Sequence, residues 1–439
     1  MAPPTPPLER GTLMVIYTVQ PGDTLYSIAQ RFGVSPQRVI RTNSLAEPRS
    51  LPVGQSLLLL TPALSYTVRQ GDSLSAIAAH FGVTPMVLMQ NNPQLILSPA
   101  LQPGQELTIH FTAGKRRRII TNGYAYDFIA PGTLRRALPY LTYLTVSGYG
   151  FTLEGRLIPP KDLPLLALAK EYRAVPVMLL SPVTEGGNYD NSRAARLFLD
   201  STLQSRVLAN VLAVMEQKGY QGLDIDFAFI PPEGAEGYLD FLRQAAQRLH
   251  SRGYFLHVDL APKTASEQKG MLYQPHDYSA VGDIADRVLL MTNEWGYSYG
   301  PPMAMAPMGP VRQVAEYAAS AIPRKKILLG LPSYGWDWIL PFERGVTRAT
   351  AVGSEQAVET ARRQGVPIAY DGQAHAPWFD YNRDGLEHVV WFEDVRSVEQ
   401  KYSLMDELGF LGGGYWSITR GFQQNWSFVA ARYNIEKVG

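Results

Sequence analysis

The chain of 439 residues has no cysteine, little charge and no long apolar run. The absence of cysteine excludes disulfides and thiolate metal sites. Charged residues make up 18% and the formal net charge is +1, so composition gives no reason to expect nucleic acid or an anionic membrane as a partner. No apolar run approaches the ~18 residues of a membrane span. At 46% hydrophobic residues, the composition instead indicates a globular protein with no nucleic-acid or membrane partner.

Several catalytic and cofactor motifs are also missing. The seven histidines show neither HExxH nor paired spacing, and the sequence contains no phosphate-binding P-loop and no GxSxG elbow. We therefore predict no metal and no cofactor. Residues 1–15 are rich in proline and lack the apolar segment of a secretion signal, so we interpret them as an N-terminal tail.

An internal repeat with an offset of 49 positions follows the tail. Residues 17–45 read YTVQPGDTLYSIAQRFGVSPQRVIRTNSL, and residues 66–95 read YTVRQGDSLSAIAAHFGVTPMVLMQNNPQL. Each unit predicts a strand, two capped helices and a closing strand. This βααβ pattern resembles LysM, a module that binds N-acetylglucosamine-containing glycans, and we assign the modules to residues 16–60 and 65–109. The basic stretch 110–118, which contains KRRR, is predicted to be a solvated linker rather than a nucleic-acid site.

From residue 119 to 435, short apolar runs alternate with helical stretches, which favours βα units and a parallel sheet. Eight strands fit this region, at 119–126, 143–147, 174–180, 222–229, 255–260, 287–292, 326–331 and 412–418. The predicted fold is therefore α/β: a (β/α)8 TIM barrel with a small α+β insertion at about 347–390, preceded by the two modules.

The fourth predicted strand lies in QGLDIDFAFI, residues 221–230. Because side chains alternate along a strand, Asp224, Asp226 and Ala228 share one face. Two buried carboxylates are costly unless they are paired, solvated or functional. They are either hydrogen-bonded structural acids or the catalytic end of a barrel strand, where such sites occur.

This strand resembles the DGxDxDxE signature of glycoside hydrolase family 18, the chitinases and their relatives. Gly222, Asp224 and Asp226 match the signature, Gln221 replaces its first Asp, and Ala228 stands at the position of its proton-donating Glu. The resemblance also places Asn293 where the family has a Tyr that holds the substrate acetamide. It implies substrate-binding roles for four residues: Glu294, Trp295, Tyr415 and Trp416.

The family acts by substrate-assisted retention: the Glu protonates the leaving oxygen, and the middle acid, here Asp226, orients the attacking acetamide. The phrase EWGYSYGPPMAMAP resembles the LysM-bearing branch from endospore formers, which acts on cortex peptidoglycan. The resemblance implies a spore- or cell-wall-associated protein whose partner is peptidoglycan or chitin. We expect the protein to be a monomer.

Three hypotheses remain open. The chain is a glycan-binding protein whose hydrolysis is impaired by Ala228 and Asn293, or a cortex N-acetylglucosaminidase or chitinase-type hydrolase whose acid was replaced by design, or a structural wall component. We favour the first, because a designed inactivation usually changes one residue, whereas Gln221, Ala228 and Asn293 all depart from the family pattern.

Overall fold

The computed structural model describes residues 14–270 and 272–437. Most of the proline-rich tail, predicted at 1–15, lies outside the described residues. Within the described ranges, no helix combines the length and the apolar character needed to span a membrane.

The two repeats fold as the sequence predicts, each with two helices packed on an antiparallel strand pair. The first module contains β1 (Met14–Thr18), α1 (Leu25–Phe32), α2 (Pro36–Asn43) and β2 (Ser56–Leu60). The second contains β3 (Pro62–Thr67), α3 (Leu74–His80), α4 (Pro85–Asn91), an additional short helix α5 (Gln94–Leu97) and β4 (Glu106–Phe111). Thr24 and Ser73 cap the first helix of each module through their hydroxyls, and Ser35 and Thr84 cap the second.

A parallel barrel occupies most of the remaining chain. The strands of the barrel, and of the segments that connect or follow them, are β5 (Arg118–Ala125), β6 (Tyr143–Phe151), β7 (Leu157–Ile158), β8 (Val175–Leu180), β9 (Gly222–Ile225), β10 (Phe255–Leu260), β11 (Arg287–Leu290), β12 (Ile327–Pro332), β13 (Tyr334–Leu340), β14 (Thr350–Gly353), β15 (Ala369–Asp371), β16 (Ala376–Arg383), β17 (Leu386–Trp391), β18 (Gly412–Trp416) and β19 (Asn434–Ile435). The helices are α6 (Pro131–Ala137), α7 (Leu163–Glu171), α8 (Asn191–Leu199), α9 (Ser201–Lys218), α10 (Ala235–His250), α11 (Tyr278–Ile284), α12 (Met308–Ala321), α13 (Ser354–Gln364), α14 (Val395–Leu408) and α15 (Gln423–Arg432).

Eight of these strands close the barrel in the order β5, β6, β8, β9, β10, β11, β12 and β18, and β18 pairs in parallel with β5. The TIM barrel prediction is confirmed, and all eight predicted strands are present. The fourth strand is shorter than predicted, because β9 ends at Ile225 rather than at residue 229. The simple alternation of faces therefore does not extend through the whole stretch: Phe227 is fully buried, whereas Phe229 is 44% exposed.

The insertion begins earlier than the predicted position of about 347. Strand β13 follows β12 after a single residue and joins an antiparallel sheet in the order β14, β13, β17, β16, β15. The segment YGWDWIL, which forms β13, pairs with β14 and β17. The sheet is covered by α13, whose Ala357 and Ala361 are fully buried against it.

The modules pack on the barrel rather than standing apart from it. The Gln424 side chain at α15 donates to Asn43 Oδ1 at 2.8 Å and to the Ser56 carbonyl at 2.9 Å. The second module contacts the barrel through Gln90, whose amide donates to the Pro139 carbonyl at 2.7 Å.

The basic stretch 110–118 is not a freely solvated linker, which corrects the prediction. Arg117 Nε lies 2.9 Å from Asp406 Oδ1 and Arg116 Nη1 lies 3.2 Å from Asp406 Oδ2. The Arg116 N–H also donates to the Arg432 carbonyl at 2.8 Å. The positive charges therefore fix the connection between the modules and the barrel against α14 and α15.

One glycine sets how closely the first module approaches the insertion. Gly54 has φ +84°, and an added Cβ would lie 1.8 Å from the Ile368 carbonyl oxygen. The Ile368 N–H donates to the Val53 carbonyl at 2.8 Å in the same contact. Gly104 is the equivalent glycine of the second module, with φ +85° and open space around it.

We expect Gly54→Ala to destabilise the docked first module more than Gly104→Ala destabilises the second. Both changes cost about 1–2 kcal/mol, because an alanine must adopt a left-handed backbone conformation. Only Gly54→Ala also forces the backbones of residues 54 and 368 apart. Hydrogen exchange of residues 44–56 measures the effect of Gly54→Ala, and exchange of residues 94–106 measures that of Gly104→Ala. Equal effects of the two substitutions would contradict this packing.

Candidate active site

The carboxyl end of β9 brings the two predicted acids to the mouth of the barrel. Asp224 is completely buried, and Asp226 is 5% exposed directly after the strand ends. The Asp226 N–H donates to the Leu180 carbonyl of β8 at 3.1 Å, which fixes its backbone. This is the edge of a parallel barrel at which catalytic groups occur.

Asp224 belongs to a buried hydrogen-bonded group that includes Tyr124 of β5 and Asp259 of β10. The Tyr124 hydroxyl lies 2.9 Å from Asp224 Oδ2 and 2.7 Å from Asp259 Oδ1. Burial raises the pKa of Asp224 to about 7, and the negative charge of Asp226 adds to the rise, while the hydrogen bonds with Tyr124 and Asp259 oppose it. Burial, followed by the negative charges of Asp224 and Asp226, raises the pKa of Asp259 well above its usual range. One hydroxyl proton cannot serve two carboxylates, so the group keeps an additional proton.

Sequence reasoning missed Tyr124 and Asp259. Alternation along the predicted fifth strand was the available signal, because it places Asp259 on the inward face with His257, and both side chains are buried.

Asp226 is the acid that faces the opening. Burial raises its pKa to about 7, and the nearby negative charge of Glu294 contributes further. Glu294 follows β11 and accepts a hydrogen bond from the Tyr334 hydroxyl at 2.7 Å. The structure therefore brings the predicted Asp226 and Glu294 together, and it adds Tyr334 of β13, a residue that the sequence did not suggest.

Two of the three departures from the family pattern, Ala228 and Asn293, lie beside these acids in the sequence but carry no acidic proton. Ala228 is half-buried, and its carbonyl lies 3.3 Å from His276 Nε2. Asn293 is 1% exposed, and its amide has no hydrogen-bond partner among residues 14–270 and 272–437. A methyl group and a buried amide replace an acid and a hydroxyl.

Two tyrosines not singled out from the sequence lie near Asp226. Tyr126 follows β5, and Tyr189 lies in the loop between β8 and α8. Their hydroxyls interact with each other. The pKa of each is raised by burial and then by the negative charge of Asp226.

The predicted aromatic residues separate into two environments. Trp416 lies at the barrel mouth, with its ring 5.1 Å from Tyr124 and 6.0 Å from Tyr126. Trp295 is half-buried against the main hydrophobic core. Tyr415 does not face the cleft, which corrects the prediction: it is 1% exposed and packs on Trp426 of α15. Neighbouring residues of a strand point to opposite sides, so only one of Tyr415 and Trp416 can face the barrel interior.

Phe128 extends the aromatic surface outward from Trp416. Its ring stacks on Tyr126 with centroids 5.2 Å apart and planes 11° apart, and it is 73% exposed. Aromatic faces of this kind pack against the apolar faces of sugars. No group of three or more metal-ligating side chains occurs in the described part of the chain.

The raised pKa values of Asp224 and Asp226 predict a pH dependence of stability. Between the unfolded value near 4 and the folded value of about 7, the folded chain holds more protons than the unfolded chain. The contribution of these two acids to the free energy of unfolding is therefore expected to fall as pH rises from about 4 to 7. Asp226→Asn should weaken this fall, as measured by urea unfolding at pH 5 and pH 8. An unchanged slope would show that these acids titrate normally.

Comparison with known proteins agrees with this architecture. Residues 167–421 match glycosyl hydrolases family 18, and residues 17–59 and 66–110 match the LysM domain. A cortical fragment-lytic enzyme of Bacillus anthracis is 38% identical over 435 residues, which cover 97% of this chain and 100% of that protein. A cortical fragment-lytic enzyme of Bacillus subtilis is 36% identical and covers 97% of this chain and 99% of its own length.

Solved structures give the same result. The crystal structure of the spore cortex-lytic enzyme SleL of Bacillus megaterium aligns with a TM-score of 0.82 at 35% identity, covering 97% of this chain and 100% of that one. SleL of Bacillus cereus also aligns at 0.82, with 37% identity and coverage of 97% and 99%. Both kinds of domain imply binding to N-acetylglucosamine-containing glycan. With its closed barrel, its Asp224–Asp226 strand end and its paired N-terminal modules, the chain belongs to glycosyl hydrolase family 18, as a member that carries two LysM domains.

Proposed function

We propose that this protein binds the glycan of the spore cortex or cell wall without cleaving it at an appreciable rate. The two LysM modules hold the polymer, and the barrel cleft grips the same chain. The observation that carries the proposal is Ala228, which stands where the family signature has its proton donor. General acid catalysis contributes typically about 10²–10⁴-fold, and a methyl group cannot supply it.

Other acids in the described part of the chain are poor substitutes. Glu233 is exposed in the short turn of 3-10 helix that follows Pro231. Glu294 follows a different strand, β11, and its Oε1 already accepts a hydrogen bond from the Tyr334 hydroxyl at 2.7 Å. Asp226 stands at the position of the family acid that orients the substrate acetamide. If Asp226 acted as the proton donor instead, no acid would remain to orient the acetamide.

The binding surface supports retention of the glycan. Trp416, Tyr126 and Phe128 form a continuous aromatic row from the barrel mouth to the solvent. Asp226 and Glu294 place hydrogen-bonding oxygens beside the row. This mixture of aromatic faces and a few polar groups is typical of saccharide sites.

The LysM modules and the relatives support a location at the spore cortex or the cell wall, with peptidoglycan as the partner in preference to chitin. We propose a monomer, because the two modules and the cleft of one chain already offer several contacts to a single polymer.

The test measures binding and cleavage in one sample. The chain is expected to sediment with purified cortex peptidoglycan and to bind a soluble N-acetylglucosamine oligomer in the barrel cleft, while releasing no reducing ends. Trp416→Ala should weaken cleft binding by about tenfold through lost stacking, whereas Trp416→Phe should retain most of it. Release of reducing ends by the unaltered chain at the rate of a cortical fragment-lytic enzyme would overturn the proposal.

A further inference from the structure

A positively charged side chain lies at the carboxyl end of the barrel, on the side of the insertion. Arg420 follows Trp416 by four positions, in the loop between β18 and α15, and its side chain is half-buried. Its stem packs against the end of β14: a Cβ added to Gly353 would lie 3.3 Å from Arg420 Cβ and 3.6 Å from Arg420 Cδ. Arg420 therefore lies where the last barrel strand meets the insertion sheet.

The charge of Arg420 acts on the Tyr334–Glu294 pair of the cleft. Burial and then the negative charge of Glu294 raise the pKa of the Tyr334 hydroxyl, whereas the positive charge of Arg420 opposes this rise. The same hydroxyl donates to Glu294 Oε1 at 2.7 Å. Because the interaction between charges weakens with distance, the guanidinium group lies near the acids of the cleft.

Arg420 has no carboxylate of its own within the described part of the chain. No acidic oxygen there lies within 4.0 Å of its guanidinium nitrogens. Glu355 lies beside the next residue, Gly421, but its Oε1 accepts the Gln423 N–H at 3.0 Å. A guanidinium group without a carboxylate partner keeps its N–H donors for a ligand.

A carboxylate on the glycan is the group that suits this cation. In their ionised forms Asp226 and Glu294 repel a negatively charged strand, and a positive charge beside them offsets that repulsion. Guanidinium groups also bind carboxylates through paired N–H···O hydrogen bonds. Chitin is neutral and has no such group. Peptidoglycan has one on its muramic acid residues, either in the lactyl group or in the peptide stem attached to it.

We propose that Arg420 binds a carboxylate of the glycan strand and thereby gives the barrel cleft a preference for peptidoglycan over chitin. The inference rests on the proposed function, since it names the group that the same cleft recognises. Trp416 and Arg420 belong to the same strand end and the loop that follows it. One strand can therefore stack a sugar ring on the first and present a carboxylate to the second.

The test compares two tetrasaccharides on the full chain. One is neutral tetra-N-acetylchitotetraose, and the other alternates N-acetylglucosamine with N-acetylmuramic acid and has free lactyl carboxylates. Slower hydrogen exchange of residues 416–423 reports binding at the barrel mouth and separates it from binding at the modules. The anionic sugar should reach half-maximal protection at about fivefold to tenfold lower concentration, as expected for one charge-assisted contact. High salt should shrink this preference.

Three substitutions show whether Arg420 is responsible. Arg420→Gln should remove the preference, and Arg420→Lys should retain part of it, because lysine keeps the charge but lacks the planar pair of donors. Arg324→Gln is the matched control: it removes the same charge from the exposed turn before β12, at the opposite end of the barrel, and should leave the preference unchanged. Equal affinity of the unaltered chain for the two sugars, or a preference that survives Arg420→Gln, would overturn the role of Arg420.

A third sugar separates the two sources of the carboxylate. It is the same anionic tetrasaccharide with each lactyl group joined to L-alanine, which moves the carboxylate outward along the stem. Tighter Arg420-dependent binding of this sugar would assign the contact to the stem, and weaker binding would assign it to the lactyl group.

Failure here is separable from failure of the proposed function. Protection that depends on Trp416 but is equal for the neutral and anionic sugars would keep the proposed function and remove the role of Arg420. Release of reducing ends together with an Arg420-dependent preference would do the reverse. No protection of residues 416–423 by any of these sugars would contradict both.

Discussion

The double variant Ala228→Glu, Asn293→Tyr is expected to hydrolyse cortex glycan at least about 10²-fold faster than the unaltered chain. The first change returns a proton donor to the strand end that carries Asp224 and Asp226. The second returns a hydroxyl that holds the acetamide against the anomeric carbon. The measurement is reducing-end release from purified cortex fragments.

The single replacements separate the two contributions. Ala228→Glu alone should give a small gain, because the acetamide remains poorly positioned, and misplacement of about 1 Å can cost about 10²-fold. Asn293→Tyr alone should give none, since no donor is present. Ala228→Gln with Asn293→Tyr is the matched control: it adds the same volume without a transferable proton.

Two results would contradict this account. If Ala228→Glu alone reached the rate of the double variant, Asn293 would not be disabling, and a single replaced acid would explain the chain. If the double variant bound glycan and stayed folded yet released nothing, the cleft would lack more than these two groups.

Asp162→Ala is expected to destabilise the barrel by about 3–5 kcal/mol, the range for removing one partner of a buried ion pair. Asp162 is 1% exposed at the start of α7 and lies 2.8 Å from Lys218 Nζ at the end of α9. Its Oδ2 also accepts the Tyr220 hydroxyl at 2.7 Å and the hydroxyl of Tyr149 in β6. Removing the carboxylate takes away the acceptor that the two buried tyrosine hydroxyls and the Lys218 ammonium group share.

The comparison that isolates this effect is Glu171→Ala on the same helix. Glu171 pairs with Arg135, and the two side chains are 50% and 35% exposed, so its loss should cost no more than about 1 kcal/mol. Urea unfolding of both variants at pH 7 measures the difference. Equal losses would mean that the Asp162 cluster contributes little.

The pH dependence of the same cluster has the opposite sign to that of Asp224 and Asp226. Burial alone would raise the pKa of Asp162, but the hydrogen bonds from Lys218, Tyr149 and Tyr220 outweigh burial and lower it. A lowered folded pKa adds stability above the unfolded value near 4, and that stability is lost as pH falls through the folded pKa. The chain should therefore lose stability at both acidic and alkaline pH, and Asp162→Ala should reduce the acidic loss by the contribution of this one carboxyl group.

The repeat and the barrel were readable from the sequence because their signals are local. Caps such as Thr24 and Ser73, and eight apolar runs at regular intervals, follow from the chemistry of a few consecutive residues. The Asp224 and Asp226 pair, with Ala228 two positions later, was visible for the same reason. These features carried the resemblance to family 18 and LysM, the glycan ligand that it implies, and the placement of Ala228 at the position of the signature Glu.

Only the tertiary structure decided which side chains share a site. Tyr124, Tyr189 and Tyr334 come from separate segments of the chain, and no local pattern marks them as neighbours of the acids. It also moved Tyr415 into the outer core, because strand register determines which of two adjacent residues faces inward. The docking of the first module is the extreme case: Gly54 and Ile368 are distant in sequence, and only the packing of the module on the insertion brings their backbones together.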